Sequence, residues 1–131
     1  MRIAGDLLDQ IVAHAREDAP NECCGLISGG DGRAARVHRA RNEFSSPMRF
    51  NVHPQDLIRI TNEIDDAGEE LVGIYHSHPR SEAYPSQTDI NLAANWPDPL
   101  WLICSLAGDE PAVRAFSIRD GAVKEVELDV G

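Results

Sequence analysis

The chain has 131 residues and a mass of 14.4 kDa, with 42% apolar and 26% charged residues, which excludes a disordered, collagen-like or coiled-coil chain and predicts one domain over residues 1–131. Twenty-two acidic against twelve basic residues give a formal charge of −10, which argues against nucleic acid or an anionic membrane as partner, because affinity there rests on Lys and Arg. Cys23, Cys24 and Cys104 are an odd number, and no charged-then-apolar leader or bilayer-length apolar run accompanies them, so a cytoplasmic protein with free thiols is expected.

Along the chain, Ile3, Leu7, Ile11 and Ala15 recur every four residues and predict an amphipathic helix over residues 3–19, stopped by Pro20. The apolar run 23–28 and the segment 33–42, separated by Gly29-Gly30-Asp31-Gly32, read as a strand hairpin. Residues 43–53 have no period and read as an irregular loop. Pro54 then suits a first helical position, and Leu57, Ile58, Ile60 and Ile64 carry a second helix to Gly68. A buried strand over 71–77 follows, then a proline-punctuated loop over 78–85 and a third helix over 86–95 with Ser86 as N-cap. Three further strands are expected over 100–106, 112–119 and 122–129, the last two joined at Asp120-Gly121. One helix, two strands, a helix, a strand, a helix and three strands predict an α/β chain with a mixed sheet and flanking helices.

The chemistry concentrates between Tyr75 and Asp89. His76 and His78, at i and i+2 of a strand, share a face with Cα atoms roughly 6.5 Å apart, so both imidazoles can meet one ion. If Ser86 caps the next helix, Asp89 falls in its first turn, and the intervening prolines can fold that turn back over the strand end. Two imidazoles and one carboxylate leave a tetrahedral zinc one open position, the mark of a catalytic rather than a structural site. A general base is still required. Glu22, just before the apolar strand, is a candidate, although by position alone several other acids compete.

The string His76-Ser77-His78-Pro79, six residues, Ser86, two residues, Asp89 resembles the signature of the JAMM (MPN-plus, Mov34/PAD-1-like) metallopeptidases. Asn21 to Gly29 resembles the glutamate-bearing strand of prokaryotic members, and Asn42, Phe50 and Pro54 fall where those members often carry the same types. The resemblance implies a curved, cytidine-deaminase-like mixed sheet. It implies one Zn2+ per chain on His76, His78 and Asp89, with Glu22 as general acid/base and Ser86 as donor to the oxyanion. The implied reaction is amide hydrolysis without a covalent enzyme intermediate. Deaminase chemistry itself is disfavoured, because the chain has neither H-x-E nor P-C-x-x-C.

Small prokaryotic relatives of this kind are similar to enzymes acting at the C-terminal Gly-Gly of ubiquitin-like sulfur carrier proteins. The Ser81-Glu82-Ala83-Tyr84-Pro85 segment looks most like the cysteine-releasing members, and the loops 43–53 and 80–84 are the candidate carrier-facing surface. Cleavage of a lysine isopeptide bond and trimming of a carrier extension are the alternatives. A non-catalytic MPN scaffold is disfavoured by the intact ligand set, and a RadC-like, DNA-linked protein by the acidic charge.

More ordinary roles are expected elsewhere. Ser86 and Asp89 would serve as helix caps whatever else they do. The three cysteines read as buried fillers, and Trp96 and Trp101 as packing residues, with a partner groove the alternative for Trp96. His14, His38 and His53 read as surface or hydrogen-bonded residues. Arg33, Arg36, Arg39 and Arg41 read as a solvated hairpin face or, alternatively, a patch for an acidic partner.

Overall fold

Side-chain alternation along the central strands decides the architecture. In the computed structural model, which describes residues 1–131, β1 (Arg2–Ile3) leads into α1 (Gly5–Asp18), followed by β2 (Cys24–Gly30), β3 (Arg33–Ala40), α2 (Pro54–Asp66) and β4 (Glu70–His78). Then come α3 (Gln87–Ala93), β5 (Leu100–Ser105), β6 (Ala112–Arg119), β7 (Ala122–Val126) and β8 (Asp129–Val130). The eight strands form one curled mixed sheet in the order β7-β6-β5-β4-β2-β3-β1-β8. Every predicted helix and long strand is present. No helix is long and apolar enough to cross a membrane.

Residues Ile27, Tyr75, Leu102 and Cys104 point to one face, where Leu7, Ile11 and Ala15 of α1 close over them. Their neighbours Leu26, Ile74, Trp101 and Ile103 point to the other, beneath Ile60 and Ile64 of α2 and Ala93 of α3. Each fully buried Leu, Ile or Phe contributes about 1.5–3 kcal/mol, so both faces are needed to hold so small a domain. Trp101 is fully buried and Trp96 packs at the rim of the α2/α3 cluster, as expected of packing residues.

Two corrections come from the chain ends. Ile3 is a strand residue rather than the first residue of a helix: β1 pairs in parallel with β3 at Arg33 and with β8 at Asp129 and Val130. Its side chain still joins the α1 cluster, which is why its spacing from Leu7 imitates a helical stripe. The last predicted strand is likewise two strands, β7 at one edge of the sheet and β8 at the other. Within the first hairpin the turn narrows to Asp31-Gly32, because β2 runs on through Gly30. The β6–β7 hairpin turns as expected, with Asp120 (φ 52°) and Gly121 (φ 78°) both left-handed.

β4 and β5 are parallel neighbours, so the chain between them must cross the sheet and return. That crossover contains α3. It delivers the helix start back over the carboxyl end of β4.

On the α1 face, Tyr75 faces Gly25 across the β2–β4 ladder. Its ring lies where a Cβ on Gly25 would sit, 2.3 Å from the nearest ring carbon. The Tyr75 hydroxyl reaches His14 Nδ1 at 2.7 Å in the interior, which ties α1 to β4, and His14 Nε2 lies 3.3 Å from the part-exposed Asp18 on the same helix. Gly25→Ala should therefore cost about 1–3 kcal/mol by displacing the ring, whereas Gly30→Ala, where an added Cβ meets nothing, should leave the urea unfolding midpoint nearly unchanged. Equal midpoints for the two variants would contradict this assignment.

Candidate active site

The period of two along β4 places His76 and His78 on the α2/α3 face, where the start of α3 meets them. Ser86 is the N-cap: its Oγ accepts from the Asp89 N–H at 3.1 Å, and its own N–H donates to Asp89 Oδ2 at 3.0 Å. This reciprocal capping starts the helix and also aims the Asp89 carboxylate. Oδ2 lies 3.1 Å from His76 Nε2 and 3.0 Å from His78 Nε2, and the two Nε2 atoms are 3.1 Å apart. Three ligands of a tetrahedral ion at about 2.0–2.1 Å span a triangle of side about 3.3 Å, so the donor set fits a metal site. His76 is 0% exposed, His78 4% and Asp89 2%.

The proton positions agree with that fit. His78 Nδ1 sits 2.8 Å from the Glu82 carbonyl, which can only accept, so Nδ1 carries a proton, and whenever the ring is neutral its Nε2 lone pair points inward. A second imidazole nitrogen and a carboxylate oxygen then converge on the same point, an arrangement that calls for a cation. Burial would raise Asp89, but the two histidines and the Ser86 N–H hold it well below the usual carboxylate range. Burial lowers His76 against the pull of Asp89. It also works against His78, yet Asp89 and the Glu82 carbonyl leave that ring raised. Phe50, from the 43–53 loop, stacks on His76 with centroids 4.3 Å apart and an interplanar angle of 20°, and Trp101 meets the same imidazole edge-on. No local pattern in the sequence marks this stack; the only cue is the resemblance at Phe50, one of two phenylalanines in the loop.

Glu22 reaches the site through strand pairing. Cys24 faces His76 across the β2–β4 ladder, the Ser77 N–H donates to the Cys23 carbonyl at 3.2 Å, and the Cys23 N–H donates to Ser77 Oγ at 2.8 Å. One residue earlier, Glu22 comes out beside His78. The residue is 4% exposed, and Oε1 of its carboxyl is buried with no hydrogen-bond partner. Burial pushes it up to about 8, with His78 opposing and the Asp89 charge adding to the rise. A carboxyl titrating near neutrality can both take and return a proton.

The remaining candidates are structural. All three cysteines are buried and free, and burial pushes Cys23 up to about 12, Cys104 up to about 11 and Cys24 higher still, so none is a ready nucleophile. His14 is bonded to Tyr75, His53 caps α2, and His38 contacts Ser28 and Glu63. Three of the four hairpin arginines are engaged within the chain: Arg36 pairs with Glu69 at 3.1 Å, Arg41 with Asp56 at 3.0 Å and Arg39 with Glu17, while Arg33 has no ion pair.

Because the folded state holds the Glu22 proton more tightly than an unfolded chain, metal-free protein should lose stability as pH rises from about 4.5 to about 8, and be constant in this respect outside that window. Glu22→Gln removes the titration. Its stability advantage over the parent in metal-free denaturant unfolding should be absent at low pH and grow to at most about 5 kcal/mol above pH 8; an advantage independent of pH would refute the assignment.

Comparison with known proteins places this geometry. A family model described as prokaryotic homologs of the JAB domain matches residues 5–119, a span containing Glu22, His76, His78, Ser86 and Asp89. CysO-cysteine peptidase of Mycobacterium tuberculosis is 37% identical over 131 residues, covering 98% of this chain and 89% of that protein. Desampylase of Haloferax volcanii is 38% identical over 115 residues, 82% of each chain. The solution structure of protein DSY2949 from Desulfitobacterium hafniense superposes with a TM-score of 0.90 at 32% identity, over 99% of this chain and 92% of that one. The expected JAMM/MPN sheet is the one observed. The chain thus belongs to the prokaryotic JAB-domain branch of the JAMM proteins, and it is a hydrolase.

Proposed function

We propose that this chain, acting as a single domain over residues 1–131, is a zinc-dependent peptidase that cleaves the amide after the C-terminal Gly-Gly of a ubiquitin-like sulfur carrier protein and releases cysteine from it. The observation that carries the reading is the buried Glu22, with its Oε1 unpartnered, beside the His76, His78 and Asp89 triangle. The similarity to a CysO-cysteine peptidase over nearly the whole length of both proteins supports the substrate class. Zinc, when bound by the three ligands, supplies Lewis acidity toward water and the scissile carbonyl.

The chain's own residues do the rest. Glu22 takes the proton of the attacking water and returns it to the departing amine. Ser86 Oγ spends a lone pair on the Asp89 N–H, so its proton stays free to donate to the oxyanion that forms at the scissile carbonyl. A Gly-Gly tail suits a site walled by His78, Glu22 and Ser86, having no side chain to clash. Of the five exposed large apolar side chains, Phe44 and Met48 lie on the 43–53 loop and Tyr84 on the loop after β4. Both loops flank the site, and these three residues form the surface on which the folded part of the carrier docks.

The test is intact-mass spectrometry of a Gly-Gly-tailed carrier bearing a C-terminal cysteine, incubated with zinc-loaded protein. Loss of one cysteine mass is expected. Glu22→Ala should keep about one zinc per chain yet lower kcat about 10²- to 10⁴-fold. His78→Ala should lose the zinc with the activity. Cleavage of only a lysine-linked or tail-extended carrier would reassign the leaving group, and no cleavage of any form with zinc bound would overturn the proposal.

A further inference from the structure

Neither the ligand triangle nor the docking surface accounts for Asn42. Its side-chain amide has two N–H donors and one carbonyl oxygen, and all of that capacity goes to main-chain groups. Nδ2 donates to the carbonyl of Glu22 at 3.1 Å and to that of Arg49 at 3.0 Å. Oδ1 accepts from the N–H of Phe44 at 3.0 Å and from that of Asn51 at 3.2 Å. Carbonyls only accept and N–H groups only donate, so the amide has one possible orientation.

From the other side, the Glu22 N–H donates to the Ser46 carbonyl at 2.8 Å. Both main-chain polar groups of Glu22 therefore end on the segment from Asn42 to His53, and neither ends on the β2–β4 ladder, which begins one residue later with the Cys23–Ser77 bonds. The carboxyl adds no tether of its own, since Oε1 is unpartnered. Where the carboxyl sits is thus set by where the backbone is held. The same loop is closed at its base by the Asn42–Val52 bridge.

We infer that Asn42 is a positioning residue for Glu22: it fixes the general acid/base through the Glu22 carbonyl while closing the loop that holds the Glu22 N–H. The inference rests on the peptidase reading for the role of Glu22. The tether itself does not depend on that reading. A misplacement of about 1 Å in a reacting group costs up to about a hundredfold in rate, and a main-chain tether of this kind acts on the rate rather than on substrate affinity.

Two variants separate this role from loop folding. Asn42→Ala removes all four bonds. Asn42→Asp keeps the acceptor for Phe44 and Asn51 but loses both donors. With zinc-loaded protein and the carrier–cysteine adduct as probe, both variants should lower kcat about tenfold or more, with KM changed less than about threefold and zinc content unchanged. Met48→Ser, by contrast, should act mainly on KM. In the Glu22→Ala background, Asn42→Asp should cost nothing further, because it acts through the missing carboxyl. Amide hydrogen exchange gives a reading without turnover: Glu22 should exchange about tenfold faster in Asn42→Asp, while Leu26 and Ile74 keep their parent rates. Unchanged Glu22 exchange, or a loss confined to KM, overturns the assignment. A parent enzyme that leaves the probe uncut counts against the peptidase reading alone, and the exchange rates then decide the role of Asn42.

Discussion

A carboxylate oxygen and two imidazole nitrogens stand no more than 3.1 Å from one another in a place that water barely reaches. Such a convergence is unfavourable unless a metal ion or a proton sits between the donors, because each is desolvated and would otherwise face another lone pair. The protein tolerates it because every member is held by a contact that serves another purpose, a hydrogen bond for His78 and Asp89 and ring packing for His76, whose Nδ1 has no partner. His78 is oriented by the Glu82 carbonyl, Asp89 by the cap that starts α3, and His76 by Phe50 and Trp101. None of these supports can be removed without loosening a helix start, a loop or the core beneath.

The topology explains why those supports lie together. A parallel β4–β5 pair obliges the chain to leave the sheet, form α3 and come back, and the start of α3 is then the nearest backbone to the end of β4. The antiparallel β2–β4 pair brings the start of β2 to that same end. Glu22, the two histidines and the cap with Asp89 thus come from three segments, the first more than fifty residues from the others, yet one strand end gathers them. The 43–53 loop adds the fourth contribution, giving Phe50 to a ligand and its backbone to Glu22.

What could be read in advance follows from the range of the interactions. The convergence of His76, His78 and Asp89 was legible because it depends on two local periods: alternation between His76 and His78, and the first turn after Ser86. The hairpin turns were legible because Asp-Gly pairs have their own backbone preference. Glu22 was not legible by position, because its place beside His78 is fixed by pairing across some fifty residues, and only resemblance to a known motif singled it out. The contacts Tyr75–His14 and Phe50–His76 are equally long-range and carry no sequence period. β1 and β8 were missed for a different reason. Two residues have no measurable alternation, and Ile3 happens to stand four residues before Leu7, which lent it to the helical stripe.

The strict division of labour along β4 has a consequence for how this scaffold can change over evolutionary time. Ile74, His76 and His78 belong to one face, and Tyr75 and Ser77 to the other, where the tyrosine locks α1 and the serine anchors β2. Inserting or deleting one residue within the strand would exchange the two sets, sending imidazoles beneath α1 and a phenol toward Asp89. Length variation here is therefore quantised: lineages can drift in the loops at either end of β4, but within it only paired changes keep the chemistry and the keystone of α1 on their proper sides.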